Sequence, residues 1–236
     1  MKTSFVTMHL ICLCLLVSGK AWSQETPDWL ESQNKANAKP AAIKQLLADF
    51  QPIYDFRPGE KIASIGAGQG VREVIFSLMA DSLTIYLQDL NPVWLEPDKL
   101  ATVARFIYRQ ANRPAHTATF IPVRGKEKDT RLLVQFFDKI IVENSLHEFD
   151  FQADVLQQIR ANLKPNGKLY IWEVIAIKEN RTHQGCNMPM FTDASLRKML
   201  ADNGFQFMSK TSVGLERWHN MVYAFQLAGE PKLQTP

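Results

Sequence analysis

From residue 61 onward, compact apolar runs alternate with stretches in which apolar residues recur every three or four positions. The runs Lys61–Ile65, Leu83–Gln88, Ala118–Val123, Phe137–Glu143 and Lys168–Ile175 predict five strands. Phe137–Glu143 is apolar at most positions, as expected of a strand covered on both faces. Between the strands, Val71–Met79, Trp94–Ala111 and Phe151–Leu163 carry helical spacing, with Leu95, Leu100, Val103, Phe106 and Ile107 in the second and Val155, Leu156 and Ile159 in the third. Thr192 is suited to cap a helix over Asp193–Asn203, and Gly204 to end it. Two strands near Phe205–Ser209 and Asn220–Leu227 close the pattern. Alternating strands and helices predict an α/β protein with a doubly wound, seven-stranded sheet, mostly parallel, with an antiparallel C-terminal hairpin. Before residue 61 the pattern weakens. Residues 24–40 are polar and broken by Pro27 and Pro40, and they read as a loose arm with at most a helical turn. Ile43, Leu46, Leu47 and Phe50 predict a short helix over Ala41–Phe50.

The N-terminus departs from all of this. Lys2 precedes a mostly apolar run, Phe5–Val17, and Ala21-Trp22-Ser23 places small residues at a cleavage site before Gln24. This predicts a signal peptide over 1–23 and an exported product, periplasmic or secreted. The run is shorter than the roughly 20 residues that span a bilayer, so no stable membrane insertion is expected after cleavage. The remaining organisation reads as an arm and helix over 24–55, one domain over 56–228 and a tail over 229–236. The chain carries 27 Lys and Arg against 24 Asp and Glu, a net +3 that falls to +1 without Lys2 and Lys20. That balance argues against a nucleic-acid partner. Cys12 and Cys14 belong to the leader, which leaves Cys186 without an internal disulfide partner. His183-Gln184-Gly185-Cys186 supplies two metal-ligand types, too few for a site, so no metal is expected. Residues 178–192 read as a loop over the working end of the sheet, with Asn187, Met188 and Pro189 shaping a substrate pocket. Trp218-His219 reads as edge packing.

Three motifs carry candidate chemistry, and all fall where strands end. Ligands of doubly wound sheets bind there, at the point where strand order reverses. Gly66-Ala67-Gly68-Gln69-Gly70 joins the first strand to the first helix, and absent Cβ atoms let backbone turn tightly and approach a ligand. The G-x-G-x-G spacing, followed by Val71, differs from the dinucleotide pattern, and no Tyr-x-x-x-Lys pair lies near the fourth strand. Both features argue against a nicotinamide-dependent oxidoreductase. Asp89 closes the second strand 19 residues after Gly70, where a carboxylate can accept hydrogen bonds from both ribose hydroxyls. The fourth strand delivers Glu143, Asn144, His147 and Glu148 to the loop beyond it, with His147 a candidate base that a neighbouring carboxylate can orient.

Taken together, these segments resemble the class I S-adenosylmethionine-dependent methyltransferases over about residues 42–227. The Gly66–Gly70 loop is similar to their first motif and Asp89 to their ribose acid. Phe137–Phe149 resembles their fourth-strand segment. Leu163-Lys164-Pro165-Asn166-Gly167-Lys168-Leu169 resembles the turn before their fifth strand, and Asn203-Gly204-Phe205 the entry to their sixth. The resemblance implies a Rossmann-like fold, S-adenosylmethionine as cofactor, and methyl transfer to a small-molecule or protein acceptor that no readable motif names. It implies cofactor contacts from Ser64, Gly66, Gly68, Gly70, Asp89, Asp129 and Glu143, with Asn144, His147 and Glu148 as catalytic candidates. Ser64 stands where the family usually has an acid, and Asn166 where it has glycine. Ser64 and the leader also motivate the alternative of a non-catalytic binding protein that uses the same cleft for another ligand.

Overall fold

The computed structural model of the chain describes residues 26–113, 115–214 and 219–229. The predicted leader, Trp218 and residues 230–236 of the tail lie outside the described residues.

Seven strands form one sheet: β1 (Lys61–Ile65), β2 (Thr84–Asp89), β3 (Thr119–Arg124), β4 (Phe137–Glu143), β5 (Leu163–Val174), β6 (Phe205–Ser212) and β7 (Asn220–Leu227). Their spatial order is β3-β2-β1-β4-β5-β7-β6. Strands β1 to β5 run parallel, and β7 inserts antiparallel between β5 and β6. This is the predicted architecture. The reversal of strand order falls between β1 and β4, so the loops after those strands open beside each other.

Helices cover both faces. On one side α2 (Pro40–Tyr54), α3 (Val71–Phe76) and α4 (Pro97–Gln110) bury Phe50, Tyr54, Phe76, Val103 and Ile107. On the other, α5 (Gln152–Asn162) and α6 (Asp193–Asp202) bury Leu156, Ile159, Leu196 and Leu200. The hydroxyl of Thr192 accepts from Ser195 N, and Ser195 Oγ accepts in turn from Thr192 N, a reciprocal cap that starts α6.

Two elements exceed their sequence reading. The arm contains α1 (Ser32–Asn37), and α2 continues through Pro52 to Tyr54. Pro165-Asn166-Gly167, within the segment that resembles a turn, instead lie in an irregularity inside β5. Phe137 pairs with Leu163 and Lys139 with Lys168, so the intervening residues bulge out. At the far edge, Thr119 N donates to Leu83 O and Gly125 N to Asp89 O. Odd-numbered amides of β3 therefore face β2, and the even-numbered Pro122 stands with its nitrogen towards the open side.

No described helix is long and apolar enough to cross a membrane.

Candidate functional site

The glycine loop sits at the strand-order reversal, and its shape requires glycine. Gly66, Gly68 and Gly70 have φ of 74°, 53° and 72°, a region L-residues rarely enter. A Cβ on Gly66 would lie 2.6 Å from Ser145 Oγ, and one on Gly70 2.8 Å from Leu87 Cδ2. Gly70 thus lets α3 pack closely on β2. A Cβ on Gly68 would meet nothing nearer than Trp94, at 3.8 Å. The amides of Gly66 and Ala67 both donate to Gln88 O, and Gly68 N donates to Asp89 Oδ2 at 2.9 Å. The loop is therefore tied to the end of β2 by the carboxylate expected to meet a ribose. Asp89 Oδ1 also accepts from Asn91 N at 2.8 Å. These two donors leave acceptor capacity on a carboxylate with about four lone-pair sites.

Beside this loop lies a cleft of about 220 Å³, walled by Gly66, Asp89, Leu90, Trp94, Ser145, Glu148 and Phe149, and lined also by Lys126, Glu127 and Thr130. Leu90 is 49% exposed next to Asp89, an apolar surface beside a hydrogen-bonding carboxylate. A second, smaller recess of about 60 Å³ opens on the other side of Gly66, between Asn34, Ala67, Arg72, Glu73 and Glu143. Here Arg72 Nε donates to Glu143 Oε2 at 2.6 Å, while Tyr54 Oη donates to Glu143 Oε1. The guanidinium also lies over the rings of Phe50, Phe76 and Trp172 at 4.8, 5.2 and 4.6 Å. Burial works against its charge, but the Glu143 carboxylate more than restores it, and the pKa of Arg72 is raised.

The other sequence-selected residues scatter around these recesses. Ser64 is buried behind the loop and donates to Glu73 Oε1 at 2.7 Å. Burial, and then the nearby charge of Glu143, push the Glu73 pKa up to about 7. Its Oε2 is buried with no hydrogen-bond partner. Asn144 has φ of 48°, and its buried Oδ1 likewise lacks a partner. Asp129 turns into its own loop, where Oδ1 accepts from Arg131 N, and neighbouring Glu127 and Thr130 reach the cleft instead. Glu148 lines the cleft with its side chain half exposed. His147 is 4% exposed. Its Nδ1 lies 2.7 Å from the buried Glu173 Oε2, and its Nε2 faces Cys186 rather than the cleft. Burial disfavours the imidazolium, but the hydrogen bond and charge of Glu173 outweigh it and raise the pKa.

No motif or spacing in the sequence selects Arg72 or Gln69. Gln69 Oε1 accepts from Glu31 N at 2.9 Å and Asn34 Nδ2 at 2.8 Å, and Gln69 Nε2 donates to Trp29 O. One amide in the glycine loop thus fastens the N-terminal arm across the recess. Its only sequence signal is a polar residue between two glycines.

The cleft suits an adenosine-bearing amino acid. Glycine backbone forms its floor, a buried carboxylate with unused acceptor capacity faces it beside an apolar surface, and paired charges of both signs line the adjoining recess.

Comparison with known proteins places this fold. No family profile matches the chain. Solved structures align with it at low identity. An S-adenosylmethionine-dependent methyltransferase from Aquifex aeolicus superposes with a TM-score of 0.57 at 18% identity, covering 80% of this chain and 99% of that one. The Burkholderia thailandensis 1,6-didemethyltoxoflavin-N1-methyltransferase, solved with S-adenosylhomocysteine, gives 0.59 at 20% identity, covering 84% and 83%. The [4+2]-cyclase SpnF gives 0.56 at 15% identity, covering 87% and 86%. The chain therefore has the S-adenosylmethionine-dependent methyltransferase fold. One curated relative, the highly reducing polyketide synthase easB of Emericella nidulans, is 25% identical over 230 residues, which is 85% of this chain but 8% of the synthase.

Proposed function

We propose that the chain binds S-adenosylmethionine and transfers its methyl group to an acceptor. The observation that carries this reading is the pair of recesses meeting at Gly66. Asp89 stands in the larger one, and the Arg72–Glu143 pair lines the smaller. A nucleoside fits the first chemically. The second offers one charge of each sign to a zwitterionic amino-acid end. When bound, the cofactor would supply an electrophilic methyl on a sulfonium.

The residues of the chain have limited tasks in such a displacement. Asp89 holds the ribose, and Leu90 and Trp94 shield the nucleoside from water. Glu143 meets the ammonium and Arg72 the carboxylate, which fixes the line of attack. Glu148 faces the cleft and takes the proton of an acceptor that carries one. His147 is too enclosed to serve that role directly. Asn144 lines neither recess, and its buried Oδ1 is given no part in the transfer. The export predicted from residues 1–23 belongs to this proposal as a location, periplasmic or secreted, and reporter fusion to those residues tests it.

Titration calorimetry of the purified protein with S-adenosylmethionine and S-adenosylhomocysteine tests the binding. Both are expected to bind at one site. Asp89→Ala is expected to weaken binding by about 1–3 kcal/mol through loss of charge-assisted hydrogen bonds. Absence of binding to either compound would remove the reading.

A second reading is favoured by Ser64. The usual acid is replaced by a hydroxyl committed to Glu73, inside the fold rather than towards the cleft. The cyclase on the same fold shows that this architecture is not bound to one chemistry. On this reading the cleft holds another ligand, and native mass spectrometry would show a co-purifying compound that is not a nucleoside.

A further inference from the structure

The loop 178–192 returns two side chains to the exit of β4. His183 N donates to Met188 O, and Asn187 N donates to His183 O, with Asn187 at φ 59°. This knuckle brings His183 and Cys186 together, and Gly185 between them leaves room for the His183 ring, which a Cβ there would meet at 3.2 Å. Cys186 Sγ lies 3.4 Å from His183 Nδ1 and 3.4 Å from His147 Nε2. The three ligand atoms all fall within 4.8 Å of one another. A thiol has one proton, so it cannot donate to both imidazoles. The Glu173 carboxylate, buried and 2.7 Å from Nδ1, accepts the His147 proton there and leaves Nε2 as an electron-pair donor towards the sulfur. Three electron-pair donors therefore converge on one point.

We propose that His147, His183 and Cys186 bind a divalent transition-metal ion of the zinc type, with Glu173 orienting His147 from behind. The spacing suits such an ion. Bond lengths of about 2.3 Å to sulfur and 2.1 Å to nitrogen put tetrahedral N···S edges at about 3.6 Å, close to the two observed separations. The donor set of two imidazoles and a thiolate suits a borderline-soft ion. Glu173 completes the carboxylate–histidine–metal arrangement that fixes ring orientation and tautomer. Glu148 Oε1 lies 3.7 Å from His147 Nε2, and Glu148 also lines the cleft. A bound ion would therefore pin the 178–192 loop to the end of β4, next to the proposed methyl-transfer site. This inference does not depend on cofactor binding.

The test is cobalt(II) titration of chelator-treated protein, followed by absorbance. One equivalent is expected, with visible bands of tetrahedral intensity and a near-ultraviolet thiolate-to-cobalt band. Cys186→Ser is expected to abolish the thiolate band, and its unchanged melting temperature without metal shows that the fold survives. Glu173→Gln is expected to weaken metal binding about 10- to 100-fold. Zinc is expected to slow alkylation of Cys186 by iodoacetamide. Cobalt binding without the thiolate band, equal affinity in Cys186→Ser, or fast alkylation unaffected by zinc would overturn the proposal. The last of these would mark Cys186 as a histidine-activated nucleophile instead.

Discussion

Around Arg72, two carboxylates and one cation share a buried space, and the arithmetic of charge decides their protonation. Glu143 takes the guanidinium, while Glu73 is left with a hydroxyl and an unpartnered oxygen. A carboxyl whose pKa rises from 4.5 to about 7 on folding keeps its proton through that window. The native state then binds more protons than the unfolded chain. Its contribution is greatest below the unfolded value and is lost as the pH climbs to about 7. Above that, the buried charge costs on the order of 3 kcal/mol. Glu73→Gln is thus expected to stabilise the protein at pH 8 and change little at pH 4.5, as read by urea unfolding at the two pH values. Residue-scale legibility was uneven. The glycines and Asp89 were readable because local backbone geometry demands their types. His147, His183 and Cys186 were not readable as a group, because the first two are 36 positions apart in sequence, with α5, β5 and a loop between them, and no periodicity links them. Asp129 was misleading for the opposite reason. An acid after the third strand is common turn chemistry, and here the turn uses it, with Arg131 N donating to its carboxylate.

Among elements, β1 to β4 matched their sequence reading to within a residue, whereas β5 begins at Leu163, five residues before the apolar run from Lys168 that marked it. Helix α1 was invisible in detail because Ser32–Asn37 buries no side chain. It exists through Gln69, not through an amphipathic face. Helix α2 outran its reading because Pro52 is a stop signal in sequence. In the structure it lies in the last turn, and Tyr54, fully buried beyond it, anchors the end through Glu143. The arm's dependence on one amide gives a prediction. Gln69→Ala removes three hydrogen bonds, each worth about 0.5–1.5 kcal/mol. Amide exchange in α1 is expected to quicken tenfold or more, while amides of β1 and β4 keep their protection. Equal exchange in both proteins would show that Leu30 and Ala38, buried at the two ends of the arm, suffice to hold it.

For the molecule as a whole, the sheet has two borders. On one, β6 carries mostly exposed polar positions, with Lys210 among them. On the other lies β3, where Pro122 occupies an outward-facing position. A strand arriving from a second molecule would need the amide hydrogen that proline lacks, and would find the middle rung of the ladder missing. Pro122→Val restores that rung while leaving the bonds to β2 in place. The variant is expected to fold with little change in melting temperature and to scatter more light during slow heating at high concentration. Turbidity equal to that of the parent would assign the protection to other features of that border. If the rung matters, a single imino acid far from any chemistry governs how densely this protein can be stored without sticking to itself.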